Sequence, residues 1–215
     1  MTNIQLNDII QPSKNKRGGA VKVAASNHLE KESMLRKKQN RVGHFEIVEF
    51  DPFFNDWVAA FPPEKDASAD EVFNTVTDVY DVLTKPTRAT SGSAGYDFYS
   101  PINIFLDPGA TIRFPTGIRA VISDPSYALL IMPRSSLGFK YRLQLDNTLG
   151  LIDADFQYAE NMGDISIKMT NCGTKPINIS VGDRIAQGVF IQYGITDDDS
   201  PLKTERNGGI GSTGV

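Results

Sequence analysis

The chain is expected to be an all-β domain, a distorted jelly roll or antiparallel barrel, carrying a helical insertion and two irregular ends. Three observations predict this. From Thr87 on, apolar and polar residues alternate: Ile165, Ile167 and Met169 against Asp164, Ser166, Lys168 and Thr170, then Ile177, Ile179 and Val181. A period of two marks strands with one buried face. Turn-forming stretches (DPGA, FPTG, SDPS, NCGTKP, SVGD) break these runs into short pieces, the pattern of a many-stranded antiparallel fold. Finally, 215 residues with 40% hydrophobic content are enough for one good-sized core and decoration, not for two domains.

Each element follows in chain order. Residues 1–42 are polar, with no sustained period, and read as a flexible basic arm with a short helix near Asn27–Lys38. Residues 44–50, HFEIVEF, read as a strand, and 51–67 are rich in aromatics and prolines that must pack on something. Residues 68–84 read as a helix. Ser68 and Glu71 form a capping box, Val72, Val76, Val79 and Leu83 recur at helical spacing, and Pro86 stops it. The barrel therefore spans 43–204, interrupted at about 51–84. The last segment, 205–215, holds four glycines in its final eight residues and reads as a mobile lid unless it closes on a ligand.

Charge is uneven. The net value is −4, yet residues 1–42 hold nine Lys/Arg and three acids, leaving −10 for the remainder. An acidic body argues against general nucleic-acid binding. The arm reads either as a solvated tail or as one that touches nucleic acid. The start lacks a signal peptide's apolar core, and no run is long enough to span a bilayer, so a cytoplasmic protein is expected, from a bacterium or encoded by a virus. One cysteine, Cys172, and two histidines exclude an internal disulfide and a Cys/His zinc site. Any catalysis must then use carboxylates, hydroxyls, basic groups and a borrowed metal.

Five segments carry such groups, and each has a plain structural reading beside the chemical one. In SGSAGYDFYS, Asp97 is either a turn carboxylate or a site acid. In PRSSLGFK, Arg134, Ser135 and Ser136 either make a strand-to-helix turn or wrap phosphate oxygens. In LDNTLGLIDADFQY, Asp153 follows an apolar stretch and either faces solvent or deprotonates water. Asp155 would share its face if the strand continued. In GDRIAQGVF, Arg184 and Gln187 read most simply as edge-strand polars. Arg206, Ser212 and Thr213 are spaced by glycines that admit close backbone approach, without the GKS/GKT of a Walker loop.

Taken together and in order, SAGYDFYS, PRSSLG, NTLGLIDADF, GDRIAQ and RNGGIGSTG resemble the five motifs of the trimeric deoxyuridine triphosphatases (dUTPases), over about residues 87–215. The resemblance implies a jelly roll and a homotrimer with shared active sites. It also implies hydrolysis of dUTP to dUMP and diphosphate with Mg2+ carried by the triphosphate, which limits uracil in DNA and supplies dUMP for thymidylate. Carried over residue by residue, it implies that Asp153 activates the water and that Asp97 holds metal-bound water. Arg134, Ser135, Ser136, Gly138 and Gln187 would contact phosphates. Asn147, Gly150 and Ile152 would read the uracil edge from a backbone hairpin, and Phe156 would pack under deoxyribose. Arg206, Ile210, Gly211, Ser212 and Thr213 would close over the nucleotide.

The chain departs from that pattern in three places. Phe156 stands for a tyrosine, with Tyr158 the alternative ring. The stretch QYAENMGDI is longer than the family's turn. Ile210 replaces an aromatic lid residue, a loss of about 1 kcal/mol of ring stacking. Two alternatives follow from the same resemblance. A dCTP deaminase-like enzyme would need a glutamate where Lys168 stands. A viral dUTPase with an added regulatory role would bind a protein partner through the arm or the 51–84 insertion, for which Phe53, Phe54, Trp57 and Phe61 are a candidate anchor patch.

Overall fold

The computed structural model describes residues 40–201. The arm through residue 39 with its expected short helix, and Arg206, Ile210, Gly211, Ser212 and Thr213 of the expected lid, lie outside the described residues. The described chain is mostly β, with three short helices. The turn sequences do what their composition demands: DPGA, SDPS and SVGD fall between strands, and FPTG and NCGTKP each carry the end of a strand into a turn.

β1 (Gly43–Ile47) pairs antiparallel with β6 (Ile118–Ile122). The expected strand stops short of Phe50, which begins helix α1 (Phe50–Ala60). The reason is spacing. Phe50, Phe53, Phe54, Trp57 and Phe61 recur at three and four residues, and Pro52 is tolerated in a first helical turn. Helix α2 (Ala69–Asp81) starts as predicted: the Ser68 hydroxyl accepts from the Glu71 N–H, and the Glu71 carboxylate accepts from the Ser68 N–H at 2.8 Å. It ends at Asp81, ahead of Pro86 and before Leu83.

These helices are built into the core. Phe53 and Trp57 of α1 and Val76 and Val79 of α2 are fully buried in the same cluster as Phe114, Leu129 and Ile165. The aromatic run is therefore not an exposed anchor patch. The Tyr80 hydroxyl donates to the Val48 carbonyl at 2.7 Å and ties α2 to the end of β1. Gly117 shows how closely the helices approach the barrel. Its φ is +66°, and a Cβ there would collide with Leu83 and lie 3.2 Å from the Phe53 ring, so only glycine serves.

The remaining strands form three sheets. β5 (Thr111–Pro115), β10 (Ser166–Asn171) and β8 (Leu143–Leu145) make one, in that order, and β11 (Ile177–Ile179) pairs with β4 (Ile104–Leu106). The largest runs β2 (Thr87–Arg88), β3 (Tyr96–Tyr99), β12 (Arg184–Gln192), β7 (Tyr127–Pro133), β9 (Gly150–Ile152). Thus β12 is a central strand, not the edge its polar residues suggest. Asp164 is also not the solvent-facing residue its alternation suggests. It precedes β10 and is buried, because its carboxylate turns inward to accept from the Gly117 N–H at 2.9 Å.

Candidate functional site

Two clusters of the expected residues form beside β7, one just past its C-terminal end and one where β9 pairs with its middle, from Leu129 to Ile131. The first sits where β7 runs into helix α3 (Ser135–Tyr141). Gln187 of β12 lies between Asp97 of β3 and Met132 of β7. Asp97 is buried, and each oxygen takes a guanidinium: Arg134 Nε at 3.1 Å and Arg184 Nη1 at 3.2 Å. Arg134 is the N-cap of α3 and offers no side-chain cap. The first amides of the helix, from Ser135 on, therefore have no intrahelical acceptor. With the exposed hydroxyls of Ser135 and Ser136, they make a donor-rich rim suited to phosphate oxygens. The Gly138 N–H is already used, donating to the Arg134 carbonyl at 2.9 Å.

The second cluster surrounds a cavity of about 550 Å³ whose walls include Asn147, Gly150, Ile152 and Phe156, a size suited to a small ligand. The segment from Asn147 to Ile152 is not a paired hairpin. β8 pairs with β10, whereas β9 pairs with β7, so the turn crosses between two sheets. Asp153 is half-buried at the end of β9 and is the N-cap of a 3-10 turn, Ala154–Tyr158. Asp155 belongs to that turn and so does not share a strand face with Asp153. Phe156 is buried and faces the cavity, while Tyr158 is largely exposed, so Phe156 is the ring on the cavity wall.

The clusters approach each other at Gly150 and Gln187, which pair with the adjacent residues Ile131 and Met132 of β7, and diverge towards Asp153 and Arg134. Ile152 pairs with Leu129, and Arg134, the first residue past β7, lies five positions further along the chain, roughly 16 Å at the rise of an extended strand. Asp153 and Arg134 therefore cannot touch the same phosphorus from one chain.

Pattern reading missed three residues. Arg184 stood out as a polar insertion, but only the fold shows it sharing Asp97 with Arg134. Asp56 of α1 and Asp164 both line the cavity, and nothing local in the sequence marks either. Burial pushes the Asp164 carboxyl well above the usual carboxylate range, and the nearby Asp56 charge adds to this. The backbone N–H groups of Gly117, Thr116 and Ile118 oppose it. Its Oδ2 has no protein partner among the described residues. Lys168, at the position where a deaminase would need a carboxylate, pairs with Asp146 at 2.9 Å.

Comparison with known proteins decides the family. The dUTPase family model matches residues 82–214. The chain belongs to the dUTPase family. Deoxyuridine 5'-triphosphate nucleotidohydrolase of Haemophilus influenzae (strain PittEE) is 43% identical over 137 residues, covering 60% of this chain and 86% of that dUTPase. The enzyme of the same name from Mannheimia succiniciproducens is 44% identical over the same extent. The crystal structure of dUTPase from Streptococcus mutans is 32% identical, with a TM-score of 0.48, over 54% of this chain and 91% of its own. The dUTPase match leaves the arm, β1, α1 and all of α2 outside it. Among the described residues, no helix is long and apolar enough to cross a membrane.

Proposed function

We propose that the chain hydrolyses dUTP to dUMP and diphosphate, by attack of water on the α-phosphorus. The observation that carries this reading is the pair of half-sites on β7. A donor-rich cluster stands past its C-terminal end, and a nucleoside-sized cavity flanked by an acid stands along β9, beside the middle of β7. Asp153 orients the water and accepts its proton. Asn147 and the backbone of Gly150 and Ile152 pair with the uracil edge, and Phe156 packs against deoxyribose, leaving a 2′-OH without room or partner. Arg134, Ser135, Ser136 and Gln187 hold the phosphates and stabilise charge developing on the leaving diphosphate. Asp97 holds the Arg134 and Arg184 forks in place. Arg206, Ile210, Gly211, Ser212 and Thr213 close over the nucleotide as a lid.

The separation of the half-sites supports a homotrimer in which the acid and cavity of one subunit face the arginine cluster of another. A jelly-roll core over 43–204 and a separate arm over 1–42 belong to the same reading. The donor set suits Mg2+ in one way only. Among the described residues no group of three metal-ligating side chains gathers, and Asp97 already accepts two guanidiniums. The residues fit only an ion brought in by the triphosphate, with the remaining lone pairs of Asp97 reaching its waters. Bound there, Mg2+ would neutralise phosphate charge. Turnover of dUTP, UTP, dTTP and dCTP, with and without Mg2+, tests the proposal through diphosphate and ammonia release. Diphosphate from dUTP alone is expected, and ammonia from dCTP would overturn it.

A further inference from the structure

The long stretch after Phe156 and the helix α1 are both unusual features, and they touch. The Asn161 side-chain amide donates to Asp56 Oδ2 of α1 at 2.9 Å and to the Asp164 carbonyl at 3.1 Å. Its oxygen accepts from the Gly163 N–H at 3.2 Å. All three bonds fix one orientation of the amide, because a flipped amide would set its oxygen against a carboxylate and a carbonyl. Gly163, at φ +78°, lies against the back of the 3-10 turn. A Cβ there would come within 2.8 Å of Gln157 Cα and 3.0 Å of the Phe156 carbonyl oxygen. That carbonyl also accepts from the Ala159 N–H at 3.1 Å. Asp56 stands on firm support, since its neighbours Phe53 and Trp57 on α1 are fully buried.

We infer that α1 sets the sugar specificity of the cavity: Asp56, acting through Asn161 and Gly163, holds the Phe156 ring where it excludes a ribose 2′-OH. The inference rests on the reading of Phe156 as the ring under deoxyribose. Asp56 is then a positioning residue. Its substrate effect passes through a neutral amide, so the acceptor oxygen matters and the charge does not.

The test is the ratio of kcat/KM for dUTP over UTP, measured on the full chain with thermal melts alongside. Asp56→Ala is expected to lower the ratio roughly tenfold, the scale of a one-contact discrimination. Asn161→Ala should do the same and serves if Asp56→Ala folds poorly. Asp56→Asn keeps an acceptor for Asn161 and should keep the wild-type ratio. In a Phe156→Leu background, Asp56→Ala should lower the ratio no further. The inference is overturned if Asp56→Ala leaves the ratio unchanged while Phe156→Leu lowers it, or if Asp56→Asn lowers it as much as alanine does. If Phe156→Leu itself changes nothing, the role of Phe156 falls and this inference with it. Hydrolysis of dUTP by the wild-type chain would still stand.

Discussion

The molecule buries two carboxylates beside its candidate site and treats them in opposite ways. Asp97, at the phosphate end of β7, has a guanidinium on each oxygen. Asp164, in the wall of the cavity, has a backbone N–H on one oxygen, no protein partner on the other, and a like charge nearby in Asp56. Burying a charge is costly unless it is paired, and an unpaired carboxyl keeps its proton instead. The region that must meet a polyanion thus stores fixed positive forks, and in the cavity wall the buried acid is neutralised by its own proton, not by a guanidinium.

The largest effect is expected at the acid that belongs to neither class. Asp153→Asn should lower single-turnover hydrolysis of dUTP by about 10²–10⁴, while calorimetric affinity for a non-hydrolysable imido analogue changes little. Mixing Asp153→Asn chains with Arg134→Ala chains should restore part of the activity, because the two clusters then work in different subunits. No rescue after verified subunit exchange would mean that one chain uses both clusters, and the contrast between them would lose its functional meaning.

Breaking the paired acid comes next. Asp97→Ala leaves two guanidiniums facing each other without a counter-charge. Removing one partner of a buried pair costs about 3–5 kcal/mol, and partial exposure of both arginines brings the expected loss nearer 2 kcal/mol in urea unfolding.

The unpaired acid sharpens the comparison through pH. The folded pKa of Asp164 is raised well above 3.8. Below that ordinary carboxylate value both states hold the proton and Asp164 contributes no pH dependence. As pH rises above it, the unfolded chain ionises first, so the folded state binds more protons and stability falls until the raised folded pKa is passed. Asp164→Asn should therefore be more stable relative to wild type at pH 7 than at pH 4. Equal differences at both pH values would count against a protonated Asp164.

The smallest effect lies away from both clusters. Ser68→Ala removes the capping box of α2 and should cost about 1 kcal/mol in a thermal melt, with no change in dUTP turnover.

Much of this was legible locally. The α2 start was readable from Ser68 and Glu71 because a cap is a contact three residues long. The strand breaks were readable because turns are local too. Arg134, Asp153 and Gln187 could be marked because the motifs that hold them are local runs of residues. Asp164 was not legible: alternation with Ile165 and Ile167 points it outward, and only the distant Gly117 N–H turns it in. The role of Asp56 was hidden for the same reason, since its partner Asn161 lies 105 residues away. Strand order was equally closed to pattern reading, because β12 carries polar residues yet sits at the centre of its sheet.

That central placement has a consequence for biosynthesis. β3 and β7 do not pair with each other; β12, residues 184–192, fills the gap between them. While the ribosome is still making residues before 184, both strands present bare hydrogen-bonding edges and wait for a partner encoded far downstream. A nascent chain stalled there would be sticky rather than merely unfinished. A product truncated there would keep both edges bare and be prone to aggregate through them.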